Sequence, residues 1–471
     1  MASGSQGKER KNPTPAPPLA KGREKIAAGA VFPGHANLLI GHWSCVVLLA
    51  LVLCTSGIAF AGPMDWPEFR GPYGNGMVTL TGDTVPRGFP LQWSETENIK
   101  WKTAIHDKGW STPVVLDGQV WMTAATPEGN DFFAVCVDAA TGKILFDQKL
   151  FHSDNPEPLG QDVNCYASPT PVIEPGRVYI NFGSYGTACL DTVTFKVLWE
   201  RKDLPCRHYR GPGSSVILWK DLLYLTMDGV DVEYVAALDK TTGKTVWRTD
   251  RTTAWLDLDD KGQKMREGDF RKAFTTPLVI DVNGVAQLVS PSSYAAFAYD
   301  ALTGLEIWKV HHTAYSPAPR PVFGNGIVYI MTGRGKAELW AMRPDGKGDV
   351  TDTNVAWKAD GKIIPNESSP LLVDGLFYMI SNDGTATCLE ADTGKQVWSE
   401  KIGGNYMASP IYADGRIYCF NNQGKTTVLK AGRAFEVLAT SKLDNGFMAS
   451  PAVTGKALIL RTKTDLYRVE Q

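Results

Sequence analysis

One phrase recurs along the chain and leaves few folds open. VDAATGKILF (137–146), LDTVTFKVLW (190–199), LDKTTGKTVW (238–247), YDALTGLEIW (299–308) and LEADTGKQVW (389–398) each set an acid eight residues ahead of an aromatic, with Thr-Gly or Thr-Phe between. A second phrase precedes each: a Pro, a short apolar run, a Gly turn and an alternating run. SPLLVDGLFYMISNDGTATCLE (369–390) and SPIYADGRIYCFNNQGKTTVLK (409–430) are examples. The anchoring prolines are Pro113, Pro169, Pro277, Pro321, Pro370, Pro410 and Pro451, and a further unit centres on Ser214-Ser215. Period-two alternation broken by Gly turns is a hairpin pattern. Each unit therefore reads as four short strands, A to D. Such a sheet cannot bury both faces alone, and stacking sheets around an axis solves the problem.

The count predicts an all-β, eight-bladed β-propeller of four-stranded blades. Seven units are complete; the eighth, SPAVTGKALILRTKTDLYRVEQ (450–471), ends after three strands. NIKWKTAI (98–105) supplies the missing strand D, with Trp101 in the aromatic slot. The ring thus closes when the N-terminal strand pairs with the C-terminal blade, which removes open sheet edges. The boundaries that follow are a basic leader plus signal peptide at 1–61, an N-terminal extension at 62–96 and the propeller at 97–471.

The same slots give most prominent residues a structural role. Trp101, Phe146, Trp199, Trp247, Trp308, Trp357 and Trp398 recur once per blade and are expected to pack between blades, with Leu438 in that slot of blade seven. Cys136, Cys189 and Cys388 share a strand position that Ala237 and Ala298 fill elsewhere, so they read as small buried hydrophobes. Cys419 lies inside a strand B. Cys165 and Cys206 lie in loops, where a bridge between them is an open alternative. Zinc and covalent haem have no motif here.

Charge separates the leader from the body. Residues 1–44 carry Lys8, Arg10, Lys11, Lys21, Arg23 and Lys25, leaving 42 basic against 48 acidic residues beyond them. An uncharged run from Cys45 to Ala61 follows and ends Ala59-Phe60-Ala61. That order matches a secretory signal cleaved after Ala61, and predicts a periplasmic or secreted protein. Membrane contact would require an uncleaved leader. The net charge of −2 argues against nucleic acid. A monomer is expected.

Function should sit on the face with the long D-to-A crossings: 151–166, 200–213, 248–274, 309–320 and 358–368. The residues just ahead of the inner strands are Trp110, Tyr166, Tyr209 with Arg210, Arg271 with Lys272, Tyr315, Asn366 with Glu367, Tyr406 and Phe447. Aromatic plates, basic groups and a carboxylate could hold a planar anionic ligand. The candidate ligand set is Tyr166, Tyr209, Arg210, Arg271, Lys272, Glu367, Asn405 and Tyr406. His311-His312 is a weak metal signal, since strand neighbours face opposite ways. No G-x-S-x-G, H-E-x-x-H or P-loop occurs.

The repeat resembles the pyrroloquinoline quinone (PQQ) repeat of eight-bladed, quinoprotein alcohol dehydrogenase-like propellers. WPEFRGPYGNG (66–76) and RPDGKGDVTDTNVAW (343–357) also resemble secreted bacterial PQQ-binding-like repeat proteins. The resemblance implies the fold. In true quinoprotein dehydrogenases it also implies PQQ over the channel, clamped by a Trp and commonly a vicinal disulfide, with calcium on Glu and Asn and an Asp base. Here the chain has no vicinal Cys pair, and only Glu367 and Asn405 stand near the calcium-ligand positions. Catalytic residues are not assigned. The reading put first is an exported, non-catalytic binding scaffold for a protein, glycan or small anionic ligand. The alternative is a PQQ-dependent oxidoreductase acting on alcohols or sugars. The third is an outer-membrane barrel-assembly scaffold.

Overall fold

The acid-Thr-Gly phrase makes a closed turn by hydrogen bonding to itself. Asp138 Oδ1 accepts from Thr141 N–H (2.7 Å) and from the Thr141 hydroxyl (2.6 Å). Asp191 with Thr194, Asp239 with Thr242 and Asp300 with Thr303 repeat the arrangement. Side-chain oxygens capping nearby amides in this way favour a turn over continued strand. The glycine that follows takes positive φ, from 70° to 75° at Gly142, Gly243, Gly304 and Gly394.

These turns join strands C and D of blades 1 to 4, and Glu390 with Thr393 makes the same join in blade 6. The computed structural model describes residues 65–79, 86–253, 258–263 and 270–471. The leader, Cys45, Cys54 and the cleavage point after Ala61 lie outside the described residues. Eight sheets radiate from one axis. Blades 1 to 3 span 114–152, 172–201 and 217–250, and blades 4 to 7 span 278–311, 322–360, 371–401 and 411–442. Blade 8 is built from Ala452–Thr454, Ala457–Arg461, Asp465–Val469 and, outermost, Ile99–Ala104. That last pairing is antiparallel, with Trp101 opposite Arg468 and Lys102 opposite Tyr467. The ring is therefore closed by the two ends of the folded body, as the repeat count requires.

The aromatic slot locks each blade to the next. Trp247 Nε1 of blade 3 donates to Ala301 O in the C–D turn of blade 4 (3.2 Å). Trp101, Trp199, Trp357 and Trp398 reach the following blade's turn in the same way. The indole lies flat against the turn glycine. A Cβ on Gly304 would sit 2.5 Å from Trp247, and one on Gly142 2.7 Å from Trp101. Glycine is needed there both for its φ and for that approach.

Exceptions to the slot have local causes. Blade 2 has Phe195 where blades 1, 3, 4 and 6 have glycine, at φ 58°. The partnering aromatic on blade 1 is Phe146, stacked on Phe195 at 5.2 Å and 16°. Blade 5 replaces the turn with residues 343–354, from which Gly348–Asp349 adds a fifth, parallel strand to the edge of blade 4. Trp308 accordingly bonds Gln287 Oε1 of its own blade (2.8 Å). In blade 7 the turn is one residue longer, so the strand register puts Ala439, not Leu438, in the slot. Blade 8 has no C–D turn for a tryptophan to cover, because its strands C and D, Asp465–Val469 and Ile99–Ala104, are not consecutive in sequence. Phe89 and Trp93 share the apolar cluster around Ala439 instead.

A second correction concerns the prolines. The strand A of blade 2 begins at Val172, so the aligned residue is Pro171 rather than Pro169. Trp247→Ala should leave a cavity between blades 3 and 4 and lower stability by about 3–5 kcal/mol. Chemical denaturation measures this, and a loss below about 1 kcal/mol would contradict the locking role.

Candidate functional site

The segment before the first blade closes one end of the central channel. Residues 66–78 cross the face that carries the A–B turns. Trp66 exchanges backbone bonds with Val115 of blade 1 (2.9 and 2.8 Å), and Pro67 O accepts from Ile173 of blade 2 (2.9 Å). At the far side Tyr412 of blade 7 bonds to Gly76 and Val78 (3.0 Å each). Between these anchors the chain turns at Arg70 and Gly71, with φ of 73° and 77°. Gly71 has no room for a Cβ, which would lie 2.6 Å from the Trp66 ring. A Cβ on Gly76 would lie 2.1 Å from the Arg70 guanidinium.

Two arginines rivet this floor to the blades. Arg70 is 1% exposed. Its guanidinium donates to Pro370 O (2.7 Å), to Asn75 O (3.0 Å) and to Pro410 O. Arg320 donates to Pro277 O (3.1 Å), Phe69 O (2.5 Å) and the Glu68 carboxylate (2.9 Å). Burial and then the neighbouring Arg320 push the Arg70 pKa down to about 9. Burial pushes Glu68 up, against the pull of Arg320.

Above the floor the blades are stitched by a ring of hydroxyls. Each stands one residue ahead of the strand-A proline or its equivalent. Thr112 N–H donates to Thr170 Oγ1 (3.0 Å), Thr170 to Ser215 Oγ (2.9 Å), and Ser215 to Thr276 Oγ1 (3.0 Å). The series resumes with Arg320 to Ser369, Ser369 to Ser409 and Ser409 to Ser450 (2.9 Å each). Blade 5 has Arg320 in this position, so the Thr276 amide has no hydroxyl to meet.

The result is a blind funnel of about 290 Å³, open on the long-loop face. Phe69 forms part of its base and the hydroxyl ring its wall. Arg210, Arg334, Glu367, Asn164 and Gln161 supply its polar lining, with Trp110, Tyr315 and Phe274 as aromatic plates. Arg334 pairs with Glu367, which also accepts from Asn382 Nδ2. Arg210 sits at φ 67° ahead of Gly211, with its guanidinium over the Tyr209 ring at 5.0 Å.

Of the candidate ligand set the funnel brings together Arg210 and Glu367, and of the other residues ahead of the inner strands it takes in Trp110 and Tyr315. Tyr209 stands behind Arg210. Tyr166 is buried between blades 1 and 2, its hydroxyl on Glu157 O (2.7 Å). Tyr406 is fully buried in the cluster between blades 6 and 7. Arg271 and Lys272 are buried away from the funnel lining, and Lys272 Nζ meets His208 Nδ1 at 2.9 Å. Burial pushes both groups of that pair down. His311 lies 3.5 Å from Asp349, whereas His312 is buried against Trp340. Cys165 and Cys206 are free and buried, which removes the alternative of a bridge.

Three features escaped the sequence reading. Arg334 comes from a B–C loop rather than from a crossing ahead of an inner strand, so position in the repeat does not single it out. The hydroxyl ring was visible as a Ser or Thr recurring before proline, but those dipeptides were read only as strand starts. The floor is a single, unrepeated segment, so no periodicity marks it.

Calcium does not fit this arrangement. Both carboxylate oxygens of Glu367 are engaged, and the Arg334 cation beside them opposes a second cation. Asn405, whose Oδ1 is buried without a partner, is not part of the funnel lining. Among the described residues no three His, Cys, Asp or Glu converge as metal ligands.

A family model described as outer membrane protein assembly factor BamB matches residues 91–253 and 231–471. No curated protein sequence matches the chain. Among solved structures, BamB from Moraxella catarrhalis gives a TM-score of 0.54 at 11% identity, covering 79% of this chain and 99% of that one. A europium-containing methanol dehydrogenase gives 0.57 at 13%, covering 85% and 88%. The computationally designed Ika8 protein gives 0.52 at 13%, covering 81% and 100%. At these identities the likeness is one of fold.

Gly71→Ala should force the floor turn off its φ and into the Trp66 ring. The expected loss is more than about 1 kcal/mol, read by chemical denaturation, and an unchanged midpoint would contradict the packing described.

Proposed function

The chain belongs to the PQQ-repeat propeller family whose model is described as outer membrane protein assembly factor BamB, and on that premise we propose that it is a non-catalytic binding module. Its ligand is a small anionic molecule, or the anionic end of a larger one, held in the funnel on the long-loop face. The observation that carries this reading is the one-ended channel. A floor fixed by Arg70, Arg320 and Trp66 closes one end, and among the described residues the open end is lined by Arg210 and the Arg334–Glu367 pair. Guanidinium groups match carboxylates and phosphates with paired, charge-assisted bonds. Trp110 and Tyr315 offer faces for stacking.

The basic leader and the apolar run ending at Ala61 support export to the periplasm or beyond. The description of the family model is in line with a scaffold role. An oxidoreductase reading would require calcium at Glu367, where the Arg334 pairing stands against it.

Isothermal titration with a panel of carboxylates, acidic sugars and phosphate esters tests the proposal. Arg210→Ala and Arg334→Ala should each weaken the bound anion by about 1.5–3 kcal/mol. Glu367→Gln removes the competing carboxylate and should strengthen it. Binding that ignores all three substitutions, or a panel in which only neutral ligands bind, would overturn the reading. Dye reduction on adding PQQ and Ca²⁺ would replace it with the enzyme.

A further inference from the structure

We propose that the base of the funnel is an oxyanion site, in which a carboxylate, sulfate or phosphate head group is held against the blade 4 to blade 7 arc of the hydroxyl ring. This deepens the reading of the funnel as a ligand site and rests on it.

The ring is a set of donors. Thr276 and Ser409 each accept one neighbouring backbone N–H, which fixes the hydroxyl oxygen in place. Their own protons have no acceptor among the described residues. Both side chains line the funnel and are 2% exposed. Buried hydroxyl protons are rarely left without an acceptor. The Thr276 amide is in the same condition, because Arg320 occupies the position where a hydroxyl would have received it.

The charge beneath the ring has the matching sign. Arg70 donates to the carbonyls of Pro370 and Pro410, the residues that directly follow Ser369 and Ser409. Arg320 donates to the carbonyl of Pro277, the residue after Thr276. Both guanidinium groups thus lie one residue below this arc. Glu68 offsets Arg320 at 2.9 Å. Arg70 has no carboxylate within ion-pair distance among the described residues, and its contacts are neutral carbonyls. A buried cation without a counter-charge is costly. An anion entering the funnel would supply one. A cation would find the Arg70 charge beneath the ring and ring oxygens already committed to amides.

The test uses the full chain, with sulfate, phosphate and acetate titrated at constant ionic strength against chloride. Crystals grown with selenate add the position of the ion. Saturable binding is expected, with an anomalous selenium peak on the Thr276–Ser409 side of the axis. Thr276→Val and Ser409→Ala should each weaken the anion at least tenfold. Thr276→Ser and Ser409→Thr keep the hydroxyl and should retain binding, which separates a lost donor from a damaged ring. Preference for acetate over sulfate and phosphate would identify a carboxylate head group, and the reverse a tetrahedral one. No saturable binding, a selenium peak only at the molecular surface, or full affinity in the Val and Ala variants would overturn the proposal. If those variants leave the wider ligand panel bound while Arg210→Ala and Arg334→Ala release it, the oxyanion floor falls and the funnel reading stands. If neither pair matters, both fall.

Discussion

A tryptophan of one blade lying flat on the turn glycine of the next is the interaction on which this ring depends. It joins two requirements that a repeat must meet together. The turn needs a residue with positive φ, and the blade interface needs a flat surface that an indole can cover. Glycine meets both, and the acid-Thr pair ahead of it holds the turn shut. The Phe146–Phe195 stack shows the coupling most directly. At that junction the glycine gives way to Phe195 and the tryptophan to Phe146, a smaller ring. Blade 7 makes the converse point, since the slot relaxes to Ala439 where the next blade has no turn to cover.

Closing the ring creates a channel, and the floor segment gives that channel one open end. The two features have different origins in the sequence. Closure follows from the repeat, because the eighth unit lacks a strand and Ile99–Ala104 supplies it. The floor follows from an unrepeated run in which Trp66, Arg70 and three glycines interlock with blades 1, 2, 6 and 7 and with Arg320 of blade 5. Polar groups on a rigid toroid are held without extra ordering cost on binding. The hydroxyl ring therefore presents its donors already fixed.

The fold was legible because the acid-to-aromatic interval and the Gly turns are local and periodic. The site was legible only in part, for a geometric reason. Crossings deliver residues to the channel mouth, and Arg210 and Glu367 do line the funnel. But a crossing also has to bury part of itself, and sequence position alone does not say which residue turns inward. Tyr166 and Tyr406 became core, and Lys272 was absorbed by His208. Arg334 lay on the other class of loop, brought in by the backbone pairing of Tyr315 with Arg334.

Departures from the repeat concentrate in blade 5 and its junctions. Arg320 stands where the other blades carry Ser or Thr. The C–D turn is replaced by 343–354, which reaches back to pave the edge of blade 4. The B–C loop carries Arg334, and the crossing to blade 6 carries its partner Glu367. A blade serving only to complete the ring would have no reason to break three slots at once, since each break forgoes a contact its neighbours make. Local rules are commonly broken where a protein binds something. The arginine in the hydroxyl ring is the most telling of these, because it interrupts the stitching and leaves the Thr276 amide without a ring hydroxyl to meet. That forgoes a contact the neighbouring junctions make, and the charge it brings is met by Glu68 of the floor, so the break ties the ring to the segment that closes the channel.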